Sequence, residues 1–331
     1  MERTGAIVAL RASGLGDLLT AVPALRALRR ARPDAELTLA APAGLAPLVE
    51  RLRITLDTPA GGHHAAGRHT DRRPADHAVV DHVVDVSVKA PPERLRWLGP
   101  EVDVAVNLHG KGPGSTRLLH GLAPGHLWAY GMPDAPPWDP YEHEVARWRR
   151  LVEAYGCPTR GDDLYLGSPG HRDGPVLIHP GASNPARRWP ADRFATVARG
   201  VAEQGLDVRI TAGPGEEGLA GDVAVQAGLG PDAVLKDIDL SELADAVRAS
   251  RLVICGDTGI AHLATAYRTP SVVLFGPLSP SHGGPPPGGL HRVLWCPLPG
   301  DSHKHTDGPH PALLRLDAED VLAAAADLLR T

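Results

Sequence analysis

The sequence carries no excess of positive charge. Its 331 residues hold 34 Lys and Arg against 39 Asp and Glu, a formal net charge of -5. That argues against a nucleic-acid binder, which presents a basic face, and leaves room for a local basic site facing an anionic ligand. Cysteine is scarce: Cys157, Cys255 and Cys296 stand far apart, odd in number and in no metal-ligand spacing. This argues against a disulfide framework and fits a reducing, cytoplasmic setting. No apolar run approaches the roughly 20 residues of a membrane span, so no integral membrane segment is expected and peripheral association stays open. The N-terminus enters strand-like sequence without a basic segment, apolar core and cleavage site in series, so no leader is expected. Lysine is nearly missing, four residues against 30 arginines, which reflects genome composition and says nothing about chemistry.

What is present describes a soluble globular protein, 43% hydrophobic and 22% charged. The length asks for two domains of roughly 150 residues. Short apolar runs alternate with amphipathic ones. Strands are expected at 6–11, 36–41 and 102–110, with helices at 17–31, 43–52 and 141–156. The first helix places Leu18, Val22, Leu25 and Leu28 on one face and carries Pro23, which should kink it. "LGSPGHRDG" (166–174) resembles a linker, after which the pattern restarts. Strands follow at 175–181, 206–213, 251–256 and 270–276, with helices at 190–205, 241–250, 258–268 and 317–330. Such alternation implies α/β units with parallel, doubly wound sheets, whose ligands bind beyond the carboxyl ends of strands. The stretch 59–77, with four histidines and almost no large apolar residue, reads as a solvated surface loop rather than a metal site.

Three strand-to-helix junctions carry candidate chemistry. "SGLGD" (13–17) offers glycines that let a phosphate or sugar approach the backbone. A dinucleotide fingerprint would need a glycine where Leu19 stands, so a nicotinamide oxidoreductase is weakly supported. Asp17 would repel a diphosphate held on this turn. It is either a first-turn carboxylate favouring the helix dipole or a proton acceptor for a hydroxyl nucleophile. "HPGASNPARRWP" (179–190) holds Ser183, Asn184, Arg187 and Arg188; its arginines either clamp phosphate oxygens or form a solvated basic turn. "GDTGIAHLATA" (256–266) opens a helix at Asp257-Thr258-Gly259 with N–H groups aligned for an anion. His262, one turn in, either reaches that anion or is a packed core histidine. A Gly/Pro loop at 275–289 follows.

These stretches, joined by "VVLFGP" (272–277) and "HPALLRLDAEDVL" (310–322), resemble glycosyltransferase family nine, the bacterial ADP-heptose heptosyltransferases. The resemblance covers nearly the whole chain. It implies a GT-B fold: α/β, with two Rossmann-like domains whose parallel sheets face a central cleft. The acceptor-binding domain would span 1–168, the nucleotide-sugar domain 169–316, and the helix 317–331 would pack back toward the first domain. It further implies inversion without a metal and without a cofactor beyond the ADP-sugar donor. Asp17 aligns with the catalytic carboxylate. Gly16, Ser183, Asn184, Arg187, Arg188, Asp257, Thr258, Gly259 and His262 align with the donor site. One of Glu216 and Glu217 should reach the ribose, and Ile238 should line the adenine pocket. On the acceptor side, Ser13, His109 and Lys111 are the candidates, in a loop ("NLHGKGPGSTRLL", 107–119) that departs from the lipopolysaccharide enzymes. The acceptor is therefore a glycan or a small natural product. Competing readings are a GT-B sugar-nucleotide epimerase acting without acceptor and a non-catalytic binding module.

Overall fold

Each half of the sequence alternates apolar runs of four to six residues with longer amphipathic segments, and each half builds one parallel sheet. The computed structural model describes residues 5–55, 76–86, 94–298 and 307–330. Most of the histidine-bearing stretch 59–77, and 299–306 near the C-terminus, lie outside the described residues. The strands are β1 (Ala6–Leu10), β2 (Glu36–Ala41), β3 (Arg53–Thr55), β4 (Asp76–Ala78), β5 (His82–Asp85), β6 (Val102–Asn107) and β7 (His126–Trp128). After them come β8 (Val176–His179), β9 (Val208–Thr211), β10 (Val234–Leu235), β11 (Leu252–Gly256), β12 (Ser271–Phe275) and β13 (His291–Trp295). The helices are α1 (Leu15–Ala31), α2 (Ala46–Val49), α3 (Gly114–His120), α4 (Glu144–Ala154) and α5 (Ala191–Ala202). They continue with α6 (Glu217–Ala227), α7 (Leu240–Ala249), α8 (Gly259–Tyr267), α9 (Pro311–Leu314) and α10 (Ala318–Leu329).

The first sheet runs β5-β2-β1-β6-β7 and the second β10-β9-β8-β11-β12-β13, with every pairing parallel. Counted within each half, both read 3-2-1-4-5, the second adding a sixth strand. That is the doubly wound Rossmann order, in which the strand sequence reverses beside the first strand. The reversal falls between β1 and β6 in one sheet and between β8 and β11 in the other. β3 and β4 form a small antiparallel pair.

The chain divides into two compact units. The first comprises Met1–Gly14, Ala21–Pro140 and Val145–Leu166; the second comprises Leu15–Thr20, Tyr141–Glu144 and Gly167–Thr331. The opening turn of α1 and the residues leading into α4 thus group with the second sheet.

Pro23 does not end α1, which stays helical from Leu15 to Ala31. Leu18, Val22, Leu25 and Leu28 are fully buried, and that burial, on the order of 2 kcal/mol per side chain, outweighs the bond that proline removes. In the first unit Arg30 pairs with Asp163 at 2.5 Å, and Arg26 donates to the carbonyls of Asp163 and Tyr165.

α10 packs on α5 and on β11 to β13, with Val321, Ala325 and Leu328 in the apolar core of the second sheet. Leu322 lies over Gly200 of α5. Its apolar face is satisfied there, within the core of the second unit. Among the described residues no helix is long and apolar enough to cross a membrane.

Candidate active site

The second unit's site is built from the loops that leave the carboxyl ends of β8, β9 and β11. After β8, Asn184 caps a short 3-10 turn at Pro185–Arg187, its side-chain oxygen accepting from the Ala186 N–H at 3.0 Å. Two residues past that turn, Trp189 is buried, stacked edge-on against Phe194 and donating from Nε1 to the Leu316 carbonyl. The cap and the tryptophan fix the two arginines between them. Arg187 lies 3.2 Å from the Asp257 carboxylate and also donates to the Asp257 carbonyl. Arg188 donates to the Ala182 carbonyl at 2.7 Å and lies 3.3 Å from Glu216. Ser183 is exposed on the same loop.

β11 ends at Gly256, and α8 starts after Thr258. Thr258 occupies the N-cap position, yet its side chain makes no cap hydrogen bond, and its Oγ1 is buried without a partner. The first N–H groups of a helix have no intrahelical acceptor. A buried hydroxyl held among them is arranged for an external acceptor, and an anion suits the helix dipole. The arrangement lies where the strand order reverses, between β8 and β11.

The junction "SGLGD" reaches the same place. A methyl group on Gly16 would come within 2.6 Å of His262 Cδ2, and one on Gly259 within 2.8 Å of the Leu15 Cβ. Glycine at both positions lets the start of α1 lie directly against the start of α8. Asp17 follows in the first turn, half-buried. His262 is pushed below the ordinary imidazole range by burial first, an effect opposed by Asp257, Glu144 and Asp17 and reinforced by His143. Asp17, Gly16, Asp257, Thr258, Gly259, His262 and Arg187 are therefore brought together.

The two adjacent glutamates separate. Glu216 turns inward: its carboxylate accepts from the Gly213 N–H at 3.2 Å, lies where any side chain on Gly181 would stand, and faces Arg188. Beneath it, His179 shares a 3.1 Å hydrogen bond with Thr211. Burial lowers the His179 pKa while Glu216 opposes the shift. Glu217 faces solvent, its acidity raised by hydrogen bonds from its own N–H and that of Gly215. Ile238 is half-buried in the loop after β10, directly before the capping Asp239.

In the first unit the strand order reverses between β1 and β6. There Ser13 Oγ lies 3.1 Å from His109 Nδ1. Asn107 accepts from the His109 N–H and donates to the hydroxyls of Ser115 and Thr116, so the loop after β6 is tied to α3. Arg11, fully buried, donates to the Leu108 carbonyl at 2.7 Å and stacks on Trp148 at 4.9 Å. Lys111 is exposed.

Residues 141–144 escape a reading of the sequence, which takes 141–156 as one amphipathic helix. α4 starts only at Glu144, and this entry to the helix fastens to the Gly/Pro loop, the Glu144 N–H donating to the His282 carbonyl and His143 to the Gly284 carbonyl. The acidic pair flanking His143 is the signal that was available. Among the described residues no group of three His, Cys, Asp or Glu could hold a metal ion. His310 instead caps α9, accepting from the Ala312 N–H.

Two parallel α/β units of Rossmann order are the halves of the GT-B glycosyltransferase architecture. Glycosyltransferase family 9 (heptosyltransferase) matches residues 130–296, just over half of the sequence, and the chain belongs to that family. It is 34% identical over 110 residues to lipopolysaccharide heptosyltransferase 1 of Pseudomonas aeruginosa, covering 33% of this chain and 30% of that one. It is 23% identical over 296 residues to the Salmonella typhimurium protein of the same name, covering 83% and 89%. Among solved structures it resembles Escherichia coli ADP-heptose lps heptosyltransferase II, with a TM-score of 0.70, 19% identity and 98% of each chain covered.

Proposed function

We infer that the protein moves a heptose or related sugar from an ADP-sugar to a hydroxyl of a glycan or small-molecule acceptor, with inversion and without a divalent ion. The observation that carries this reading is the buried, partnerless Thr258 hydroxyl at the start of α8, beside Arg187 and beneath the first turn that bears Asp17. The names of the relatives, heptosyltransferases of lipopolysaccharide, and of the structural neighbour, which specifies ADP-heptose, support the donor class.

In this reading the second unit takes the donor. Its diphosphate lies on the α8 start, with Thr258, Arg187 and Arg188 donating to phosphate oxygens and Ser183 and Asn184 beside them. Glu216, turned inward, takes the ribose, and Ile238 lines the base. The acceptor lies with Ser13, His109 and Lys111. The acceptor oxygen attacks the anomeric carbon as the bond to the phosphate oxygen breaks on the opposite face, through an oxocarbenium-like transition state. Asp17 removes the hydroxyl proton late in attack. Negative charge growing on the departing ADP meets the helix start and the arginines, which perform the stabilising work of a cation. Sugar nucleotides are cytoplasmic metabolites, and the reading places the protein there.

Thermal stabilisation with ADP-, GDP- and UDP-sugars, followed by acceptor trials with EDTA present, tests this. The expected result is a rise in Tm with ADP-sugars and transfer that survives EDTA. Stabilisation by another nucleotide alone, or activity lost to EDTA and restored by Mg²⁺ or Mn²⁺, would overturn it. Product sugar nucleotide formed with no acceptor present would point to an epimerase.

A further inference from the structure

β1 hands over to its loop at Arg11, whose N–H continues the ladder to the Ala40 carbonyl at 2.9 Å. On the other side Leu108, just past β6, donates to the Leu10 carbonyl at 3.1 Å. Beyond these rungs the two loops diverge, as they do wherever strand order reverses, and side chains join them. The Arg11 guanidinium crosses to the Leu108 carbonyl at 2.7 Å, held over the Trp148 ring of α4 with its central carbon 4.9 Å from the ring centre. The Arg11 carbonyl accepts from the Ser13 N–H at 3.0 Å. Arg11 therefore grips both sides of the Ser13–His109 contact, the serine through its own backbone and the histidine through the residue before it. His109 is held from a second direction by Asn107, which accepts its N–H at 3.0 Å and donates to the hydroxyls of Ser115 and Thr116.

Arg11 and Trp148 are each only 1% exposed. Burying a guanidinium is costly unless its donors are engaged. An apolar side chain of similar length would fill the same space at lower cost, so packing alone does not account for an arginine at the end of β1. What the guanidinium adds is a directed, charge-assisted hydrogen bond to the turn that carries His109, oriented by the aromatic face beside it. We propose that Arg11 is a positioning residue for the acceptor side: it presets the Ser13–His109 pair and does not touch the ligand that the pair receives. A ligand hydroxyl then meets a hydroxyl and an imidazole already at hydrogen-bonding distance, and the ordering cost is borne in folding rather than in binding. This use of the pair rests on the acceptor-side reading above; the hold of Arg11 on the pair does not.

The hydrogen bond made by one imidazole nitrogen sets which tautomer the ring adopts. Ring-nitrogen NMR of the ligand-free protein at about pH 8, where imidazole is neutral, therefore reads the pair directly, with His109 assigned by its loss in His109→Gln. Ser13→Ala gives the tautomer ratio of the broken pair. Arg11→Met is expected to move the ratio about 2- to 10-fold toward that of Ser13→Ala, and to add nothing once Ser13→Ala is in place. Arg11→Lys, which keeps a donor for the Leu108 carbonyl, moves it less. A parent-like ratio in Arg11→Met, or equal shifts in Arg11→Met and Arg11→Lys, would overturn the proposal. Arg11→Gln, neutral and two bonds shorter in reach, takes the place of Arg11→Met if that variant does not fold. Methyl α-glucoside and methyl α-mannoside, added in excess as hydroxyl probes, supply the second readout. They should perturb the Ser13 and His109 signals in the parent protein and do so less in Arg11→Met, with the Kd for ADP the same in both. Weakened ADP binding in Arg11→Met would mark a general structural role and overturn the assignment. A tautomer ratio that depends on Arg11, with no response of the pair to either glycoside, would remove the pair from the acceptor side while leaving the hold of Arg11 standing.

Discussion

At the reversal point of the first sheet a serine hydroxyl meets an imidazole, Ser13 to His109 at 3.1 Å. At that of the second a guanidinium meets a carboxylate, Arg187 to Asp257 at 3.2 Å, next to a hydroxyl with no partner. Strand order, parallel pairing and loop placement are the same in both. The difference lies in what the loops present: hydrogen-bonding side chains suited to hydroxyls in one, a helix start flanked by arginines in the other. One fold repeated within a chain can thus serve two different ligands, because topology fixes where a ligand sits and loop residues fix what it is.

The strongest way to test that division of labour is to remove the carboxylate from the turn that follows β1. Asp17→Asn should lower kcat by about 10²- to 10⁴-fold while the Kd for ADP, measured by calorimetry, changes little. Near-full residual transfer would reject Asp17 as the base. On the anion-facing side, Arg187→Ala with Arg188→Ala should weaken ADP binding about 10- to 100-fold, the loss of one or more charge-assisted hydrogen bonds. An unchanged Kd would remove both arginines from the donor site.

Thr258→Val sharpens the contrast further. Deleting a buried hydroxyl that has no partner should leave thermal stability unchanged or raise it by up to about 1 kcal/mol, yet weaken ADP about tenfold. Equal losses of stability and affinity would show that the hydroxyl is structural. A separate effect, outside the two sites, concerns acid. Burial holds the His291 pKa down, to about 4, and lowers His179 and His262 as well. The unfolded chain takes up protons near pH 6.5 that the folded protein refuses. Stability is therefore fully present above about pH 6.5 and declines as pH falls toward 4, by on the order of 3 kcal/mol at most for His291. His291→Asn should flatten that decline in urea titrations; an unaltered pH dependence would assign it to other groups.

Much of the molecule was legible from residue order. The alternation of "AIVAL" with a leucine-faced helix, and of "VLIH" and "LVICG" with theirs, places β1, α1, β8 and β11 within a residue or two of where they stand, since fully buried strands read as continuous apolar runs. Shorter or less apolar pieces such as β7, β10 and α6 leave no comparable signal. Pro23 lies inside α1 without ending it, because propensity is overridden by the packing of the helix that contains it.

The sequence by itself determined the family, the doubly wound α/β plan, and the strand-to-helix junctions that carry the glycines, the threonine and the arginines of the candidate site. These are local properties, written in periodicity and in conformational freedom. Tertiary structure alone decided which of two neighbouring glutamates turns inward, that the C-terminal helix completes the second unit's core, and that residues 141–144 fasten to the 282–284 loop around His262. Each of those depends on a neighbour distant in the chain: Gly181 and Arg188 for Glu216, α5 and three strands for α10, a glycine carbonyl for His143. Chain order does not encode such proximity until the sheet has closed and its loops share one edge.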